Sequence, residues 1–233
     1  MMWGRRWPNG GHRAIALATA LLAGSGAICV GVAVTHGRTP PQPPLSRGDS
    51  LTSSKPPAPR PASAAPGTAT PANRVVGPVL RPSTPVALSI PAIGVRSAVR
   101  RLGQAADGSI EVPAPGPHYD QVGWYRFSPT PGSLGPAVIV GHVDSAANGP
   151  SVFWRLGSLH PRDLVRIRRS DGSVAVFAVD DVHRFRKTQF PTHLVYGNTT
   201  NAALRLITCG GPIEGGHYRD NIVVRASLVR ATA

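Results

Sequence analysis

The stretch DLVRIRRSDGSVAVFAVDDV, residues 163–182, decides the fold class. It consists of two runs, Asp163–Arg169 and Ser173–Val182, in which apolar and polar residues tend to alternate, separated by Asp171-Gly172. Alternation with a period of two is the pattern of a half-buried strand, and Asp-Gly between two such runs favours a tight turn. The sequence therefore predicts an antiparallel β-hairpin here.

Similar short runs occur on both sides of this hairpin. Two stretches, Ser151–Leu159 and Pro191–Asn201, have room for only a short helix. About eight strands between residues 85 and 233 predict an all-β domain, either a closed barrel or a sandwich. The other predicted strands are Val86–Ile90, Ser109–Val112, Val122–Phe127, Ala137–Val143, Ala203–Cys209 and Asn221–Val229.

The segment before this domain is rich in proline. Residues 35–85 contain thirteen prolines among 51 residues, and most of the others are small or polar. Such a composition offers too few large apolar groups to offset the entropy of ordering the chain. We therefore expect residues 35–84 to form a disordered linker, with a reach of at most about 150 Å in the polyproline II conformation.

An uncharged apolar stretch, Ala14–Val34, precedes the linker. Its 21 residues would span about 31 Å as a helix, which matches the hydrocarbon core of a bilayer. Arginines in residues 1–13 favour a cytoplasmic N-terminus, so the remainder of the chain would lie outside the plasma membrane. A cleaved signal peptide is the alternative, although the stretch is longer than its usual apolar region. Cys29 is interpreted as a bystander in this helix.

Charge and cysteine content exclude several classes of function. The chain has 233 residues and a formal net charge of +14. Residues 84–233 contain 16 basic and 10 acidic side chains. A basic surface favours anionic polymers or lipid headgroups, but no known nucleic-acid-binding motif accompanies it. Two cysteines cannot build a disulfide scaffold or a four-cysteine zinc site. We expect no metal and no cofactor.

Three residues are candidates for chemistry. Cys209 ends a predicted strand before Gly210-Gly211, and His142 follows the apolar strand in Gly-His-Val-Asp. An unpaired thiol in an exported chain is a candidate nucleophile, and imidazole is its usual acid/base partner. Arg219, ten residues after Cys209, could stabilise an oxyanion. Taken singly, each has a plainer explanation: a buried inert cysteine, a structural histidine, and a surface arginine paired with Asp220.

Taken together, these motifs resemble the sortase family. The resemblance rests on Leu-Ile-Thr-Cys at residues 206–209, Gly-His-Val-Asp at 141–144, and Arg219 at the start of the next strand. Cys-Gly-Gly followed by Tyr-Arg-Asp-Asn is most similar to the actinobacterial class F group, and Ile-Pro-Ala-Ile-Gly-Val at 90–95 is similar to the family's opening segment. Arg205 departs from the family pattern, because many classes have threonine there.

The resemblance implies a membrane-anchored cysteine transpeptidase on a closed eight-stranded β-barrel, residues 85–233. Cys209 would attack an LPxTG-like sorting signal between threonine and glycine and form a thioester. His142 would move the protons and Arg219 would steady the oxyanion, while Leu206 and Thr208 would contact the substrate. The implied partners are proteins with a C-terminal sorting signal, an amine acceptor of the cell wall or a pilin, and membrane lipid, but no nucleic acid. Hydrolysis would be a side reaction.

Two other interpretations are open. An L,D-transpeptidase would also be an extracellular β-rich cysteine enzyme, but its motif keeps a histidine close before the cysteine. Here His193 lies 16 residues before Cys209, which disfavours that class. The non-enzymatic alternative is an anchored β-domain that binds a cell-wall polymer through its basic surface. A thiol-reactive probe distinguishes it, because such a binder needs no reactive thiol.

Overall fold

The computed structural model describes residues 39–46, 74–145, 147 and 149–232. The predicted N-terminal segment 1–13, the predicted transmembrane segment 14–34 and most of the predicted linker lie outside these residues. Among the helices of the described part of the chain, none is both long and apolar enough to cross a bilayer.

Eight strands close into a barrel in the order β1-β2-β3-β4-β9-β10-β8-β7. The pairs β2–β3 and β4–β9 are parallel, and every other neighbouring pair is antiparallel. A separate two-stranded sheet, β5–β6, lies between β4 and β7 in the chain. The predicted all-β closed barrel is therefore confirmed. The strands are β1 Pro85–Ile90, β2 Val95–Leu102, β3 Val122–Tyr125, β4 Gly135–Val140, β5 Asp144–Ser145, β6 Gly149–Pro150, β7 Leu164–Arg169, β8 Val174–Arg186, β9 Ala202–Glu214 and β10 His217–Thr232.

The hairpin predicted from residues 163–182 is present as β7 and β8. The two strands pair antiparallel from Leu164↔Ala178 to Arg168↔Val174. Gly172 in the connecting turn has φ +87°, a conformation that glycine adopts without the steric cost of a Cβ. Asp171 accepts a hydrogen bond from the Ser173 backbone N–H at 3.0 Å, which closes the turn.

One predicted strand is wrong and one strand was missed. Ser109–Val112 forms only an isolated bridge between Ile110 and Gln104, and Pro113 directly after it cannot donate to a strand ladder. Its place in the barrel is taken by β2, whose residues alternate between half-buried Val95, Ser97 and Val99 and exposed neighbours. That alternation is the pattern of a strand with one face toward water.

Helical structure is limited to short pieces. The only α-helix in the described part of the chain is α1, Thr192–Tyr196, within the predicted stretch Pro191–Asn201. A single 3₁₀ turn, Leu156–Ser158, lies within the predicted stretch Ser151–Leu159. Two further 3₁₀ turns, Pro91–Ile93 and Lys187–Gln189, follow β1 and β8.

Strands β4 and β9 are buried on both faces. The barrel interior holds one apolar cluster, which includes Ile139 and Leu206. A second cluster lies outside the barrel wall, where Val195 of α1 packs with Val140 and Ile207. A strand covered on both faces is apolar at nearly every position, which explains why Gly135–Val140 is a continuous apolar run. This double cover, which in β9 extends over Ala202–Thr208, fixes the end of β4 and the part of β9 beside it, where the candidate site lies.

Residues 39–46, which we call the strap, contact the barrel. Gln42 Oε1 accepts a hydrogen bond from the backbone N–H of Gly211 at 2.8 Å, and Ser46 N–H donates to the Arg184 carbonyl at 2.8 Å. Pro43 is buried, and a Cβ at Gly157 would lie 2.2 Å from the Pro41 carbonyl oxygen. These contacts differ from the disordered linker that the proline content predicts for this part of residues 35–84.

Asp181 on β8 forms an ion pair that ties β8 to β10. Arg225 Nε donates to Asp181 Oδ1 at 2.7 Å, and the second guanidinium nitrogen pairs with Oδ2. Burial alone would raise the pKa of Asp181, but hydrogen bonds and charge from Arg225 and His183 outweigh it and lower the pKa from 3.8 to about 2. The ionised carboxylate is therefore stabilised by folding.

Asp181→Asn is expected to lower the free energy of unfolding at pH 7 by about 1–2 kcal/mol. Because the folded-state pKa is depressed, this stabilisation is present above about pH 4 and is lost as the pH falls toward 2. Urea unfolding of both proteins between pH 7 and pH 2 measures the difference. Asp107→Asn, in an exposed turn, is the control and should change little. A difference between wild type and Asp181→Asn that stays constant down to pH 2 would contradict the assignment.

Candidate active site

Two parallel strands bring His142 and Cys209 to the same edge of the barrel. Val140 on β4 is in register with Ile207 on β9, and each candidate residue lies two positions further along its own chain. The Gly141 N–H donates to the Ile207 carbonyl at 3.2 Å. Neighbouring strands lie about 4.8 Å apart, so the register brings His142, just beyond the end of β4, to the edge of the barrel where β9 carries Cys209. Strand β9 continues to Glu214, so Cys209 lies within the strand and not at its end as predicted.

Leu206 and Thr208 hold this edge together from inside. Leu206 is fully buried in the barrel interior, and the Thr208 hydroxyl donates to the Gly141 carbonyl at 2.8 Å. Gly141 itself is confined, since a Cβ there would lie 2.8 Å from the Phe153 ring. The contacts that the structure shows for Leu206 and Thr208 are thus with the protein, and the substrate contact predicted for them stays a prediction.

The Cys209 thiol is free and half-buried. Lys187 Nζ lies 3.7 Å from Cys209 Sγ and donates to it. Lys187 follows directly after β8, whose pairing with β10 carries it to the same edge. No sequence motif indicates Lys187 as part of the site. One signal was available, because Lys187 is the only lysine among the 16 basic residues of positions 84–233.

His142 is held by the loop between β2 and β3. Its Nε2 lies 2.8 Å from the Pro113 carbonyl oxygen, and its ring stacks on Tyr119 with centroids 3.9 Å apart and planes 3° from parallel. A carbonyl oxygen only accepts, so Nε2 carries the hydrogen in this contact. The neutral ring then has Nδ1 as its free proton acceptor.

Two tyrosines fix the segment that follows His142. Tyr119 Oη donates to the Asp144 backbone carbonyl at 2.7 Å, and Tyr218 Oη donates to Asp144 Oδ2 at 2.5 Å. Burial raises the pKa of both tyrosines, and the charge of Asp144 raises it further, so both stay protonated donors at neutral pH. His142 therefore lies on a segment anchored from both the β2–β3 loop and β10.

Arg219 lies at the start of β10, one residue before Asp220, which is in register with Gly210. Its Nε donates to Asp220 Oδ1 at 3.2 Å, and its Nη1 donates to Glu214 Oε1 at 2.8 Å. The hydrogen bond to Asp220 and the charge of Glu214 raise the pKa of Arg219. The fold thus brings Arg219 close in register to Cys209, and the pairing with Asp220 that was its plainer explanation is also formed.

Arg205 lies beneath α1. It is buried, and its Nε donates to the Val195 carbonyl at 3.1 Å. Burial lowers the pKa of Arg205 to about 10, so the side chain stays charged at neutral pH. Where many sortase classes have threonine, this residue links α1 to β9.

A metal site is not formed by the described residues, because they contain no group of three histidine, cysteine, aspartate or glutamate side chains that could hold an ion. The functional groups at this edge are a thiol, an imidazole, two cations and the surrounding tyrosines.

The family model for the sortase domain matches residues 88–229. The chain belongs to the sortase family. Sortases are cysteine transpeptidases, and this chain is an enzyme of that kind, which excludes the non-enzymatic binding domain as its whole function. Among curated proteins, none matches this sortase in sequence.

Several solved sortase structures are similar to this chain. A SrtA sortase from Actinomyces oris is 20% identical with a TM-score of 0.48, covering 70% of this chain and 89% of its own. Sortase A from Corynebacterium diphtheriae is 22% identical with a TM-score of 0.47, covering 65% and 62%. A sortase D5 transpeptidase from Clostridium perfringens is 16% identical with a TM-score of 0.47, covering 63% and 79%. Family membership rests on the domain match.

Tyr119 is expected to act as a positioning residue for His142. Tyr119→Leu removes the stacked ring and should lower kcat/KM for peptide cleavage up to about tenfold, the value of one aromatic contact. Tyr119→Phe keeps the ring, loses only the hydrogen bond to Asp144, and should retain most activity. Alkylation of Cys209 and the melting temperature serve as controls. Equal losses in both variants would show that stacking on His142 is not the cause.

Proposed function

We propose that this sortase is a class F enzyme that cleaves an LPxTG-like C-terminal sorting signal and transfers the protein to an amine of the cell wall or of a pilin. The observation that supports it best is the register of the parallel strands β4 and β9, which brings His142 and Cys209 to the same edge of the barrel, within a domain that belongs to the family. The class assignment is supported by Cys-Gly-Gly and Tyr-Arg-Asp-Asn in residues 209–221.

The first half-reaction forms the thioester. Cys209 Sγ, as the thiolate, attacks the threonine carbonyl carbon, and the carbonyl electrons move onto oxygen. When the tetrahedral intermediate collapses, the C–N bond to glycine breaks and protonated His142 gives its Nδ1 proton to the leaving amine. The Nε2–H contact with Pro113 keeps the ring oriented while Nδ1 exchanges the proton.

The second half-reaction releases the product. Neutral His142 accepts a proton from the incoming amine, whose nitrogen attacks the thioester carbonyl. The C–S bond breaks, an amide bond forms, and the thiolate of Cys209 is regenerated beside protonated His142. Water in place of the amine gives hydrolysis.

Two cations have separate roles in this scheme. Lys187 contacts the sulfur and stabilises its negative charge, whereas Arg219, held by two carboxylates, presents its remaining N–H groups to the substrate oxyanion. A charge-conserving exchange tests this division. Arg219→Lys is expected to lower kcat/KM for peptide cleavage at least about tenfold, because one ammonium cannot reproduce the planar fork of a guanidinium.

Lys187→Arg should retain most activity, and Lys187→Met should slow alkylation of Cys209 by iodoacetamide, which reports the thiolate. Arg219→Lys should leave the alkylation rate unchanged. If Arg219→Lys slows the alkylation of Cys209 and Lys187→Met does not, the two assignments are reversed.

Leu206 and Thr208 act in this scheme through the protein. Thr208 fixes Gly141, and with it the approach of His142 to Cys209, while Leu206 anchors β9 in the barrel interior. The substrate threonine and leucine are expected to contact the outer side of the same strands.

The site of action is proposed to be the outer face of the plasma membrane. The support is the uncharged segment Ala14–Val34, preceded by arginines and followed by the proline-rich segment. An anchored domain on the outer side would meet exported substrates and membrane lipid while its barrel reaches toward the wall.

A peptide library tests the reaction and the signal together. The full chain is incubated with peptides that vary around Leu-Pro-x-Thr-Gly, and intact-mass spectrometry locates acyl adducts. We expect an adduct on Cys209 that ends at threonine, released by triglycine as a new amide. No adduct from any peptide, with a thiol that iodoacetamide still alkylates, would overturn the proposed substrate.

A further inference from the structure

A groove crosses the outer wall of the barrel on β1, β2 and β7. It has a volume of about 920 Å³. Small side chains form its floor, and three arginines flank it: Arg96 from β2, and Arg166 and Arg168 from β7. We call this the arginine groove.

Strand register explains why the arginines converge. Ser89 on β1 is in register with Arg96 on one side and Arg166 on the other. Residues in register point to the same face of a sheet, so both guanidinium groups flank Ser89, with their Cα atoms about 10 Å apart. In the next row Ala87 is in register with Arg168. Arg166 and Arg168 are about 7 Å apart along β7.

The charge of the arginine groove is uncompensated. None of its three arginines forms an ion pair with a carboxylate in the described part of the chain, and no acidic side chain lines the groove there. By contrast, the arginines near the candidate active site, Arg184 and Arg219, pair with Asp220 or Glu214. Three unpaired guanidinium groups around one concavity favour an anionic ligand.

The residues that line the groove indicate which kind of anion it would bind. Guanidinium groups match phosphate oxygens in pairs, which favours phosphate over an isolated carboxylate. The described lining contains no aromatic side chain, whereas proteins that bind single-stranded nucleic acids stack bases on aromatic rings. The small floor residues Ala87, Ser89 and Ala98 admit a single chain between the arginines, but a flat bilayer would meet only the rims.

The location of the groove separates it from catalysis. In the closed order of eight strands, β1 lies directly across the barrel from β9, which carries Cys209. A ligand on β1 therefore leaves the thiol, His142 and Arg219 accessible.

We propose that the arginine groove binds a single chain of an anionic phosphodiester polymer that carries no bases, on the barrel wall opposite Cys209. The repeated phosphates of such a chain pair with Arg96, Arg166 and Arg168, and release of its counterions makes the affinity depend on salt. This binding is independent of the peptide reaction.

Fluorescence anisotropy of labelled poly(glycerol phosphate) with the full chain tests the proposal. The groove variant replaces Arg96, Arg166 and Arg168 with glutamine. The matched control replaces Arg126, Arg155 and Arg230, which are exposed and do not line the groove, so both variants lose the same charge. We expect the groove variant to bind at least about tenfold more weakly, with a shallower salt dependence. The control should change less than about threefold.

Equal losses of affinity in both variants would overturn the assignment of the groove as the binding site, since net charge alone would then attract the polymer. Tighter binding to oligo-dT or to vesicles containing phosphatidylglycerol than to poly(glycerol phosphate) would overturn the ligand class. If the triple groove variant does not fold, as judged by circular dichroism, the single variants Arg96→Gln and Arg168→Gln replace it. Each side chain is exposed, and each variant should lose affinity about threefold. Retained peptide cleavage in all variants is expected.

Discussion

Cys209→Ala is expected to reduce kcat/KM for cleavage of a fluorescent sorting peptide by at least about a thousandfold. The thioester cannot form without the sulfur, and loss of a covalent nucleophile removes most of an enzyme's rate enhancement. The fold should persist, because the side chain is half-buried and its hydrogen-bond contact is with one lysine at the surface. Peptide cleavage, circular dichroism and melting temperature are measured together.

The matched control for this prediction is Cys29→Ala. Cys29 is the other cysteine of the chain and lies in the predicted transmembrane segment. It should retain full activity and full alkylation at Cys209. Wild-type cleavage by Cys209→Ala would exclude the thioester mechanism, whatever the behaviour of the control.

His142→Ala is expected to lower kcat/KM about 10²–10⁴-fold, the usual contribution of a general acid and base. Without the imidazole, the leaving glycine amine has no proton donor and the acceptor amine has no base. The measurement is peptide cleavage in the presence and absence of triglycine, which separates the two half-reactions. Both should be slowed.

His160→Ala serves as the control, since His160 is exposed and lies between the 3₁₀ turn Leu156–Ser158 and β7. It should cleave at the wild-type rate. A His142→Ala enzyme within about threefold of wild type would show that another group, such as Lys187, moves the proton.

Local patterns in the sequence were sufficient for much of the fold. The Asp171-Gly172 hairpin depends on neighbouring residues and on the turn preference of glycine, so its strands could be predicted without long-range information. The missed strand β2 shows the limit of that approach. Arginines on its outer face lower its apparent hydrophobicity, and its parallel partner β3 begins about twenty residues later in the chain. The register between them depends on barrel closure.

The candidate nucleophile and base could also be proposed from the sequence, because each follows an apolar run. The residues that surround these two side chains could not be predicted in this way. Lys187, Tyr119 and Pro113 lie between 22 and 29 residues from the group that each contacts, and no local pattern links them. Closing the barrel brings the end of β8 and the β2–β3 loop to the end of β4 and to Cys209 on β9.

The sequence by itself determined an all-β domain with one thiol and a histidine and arginine that resemble a sortase site, because strand periodicity and short motifs are properties of neighbouring residues. Only the tertiary structure decided that Leu206 and Thr208 contact the protein, that Lys187 reaches the sulfur, and that three arginines converge on β1. These depend on which strands pair and in which register. That choice is made by burying apolar surface across the whole barrel.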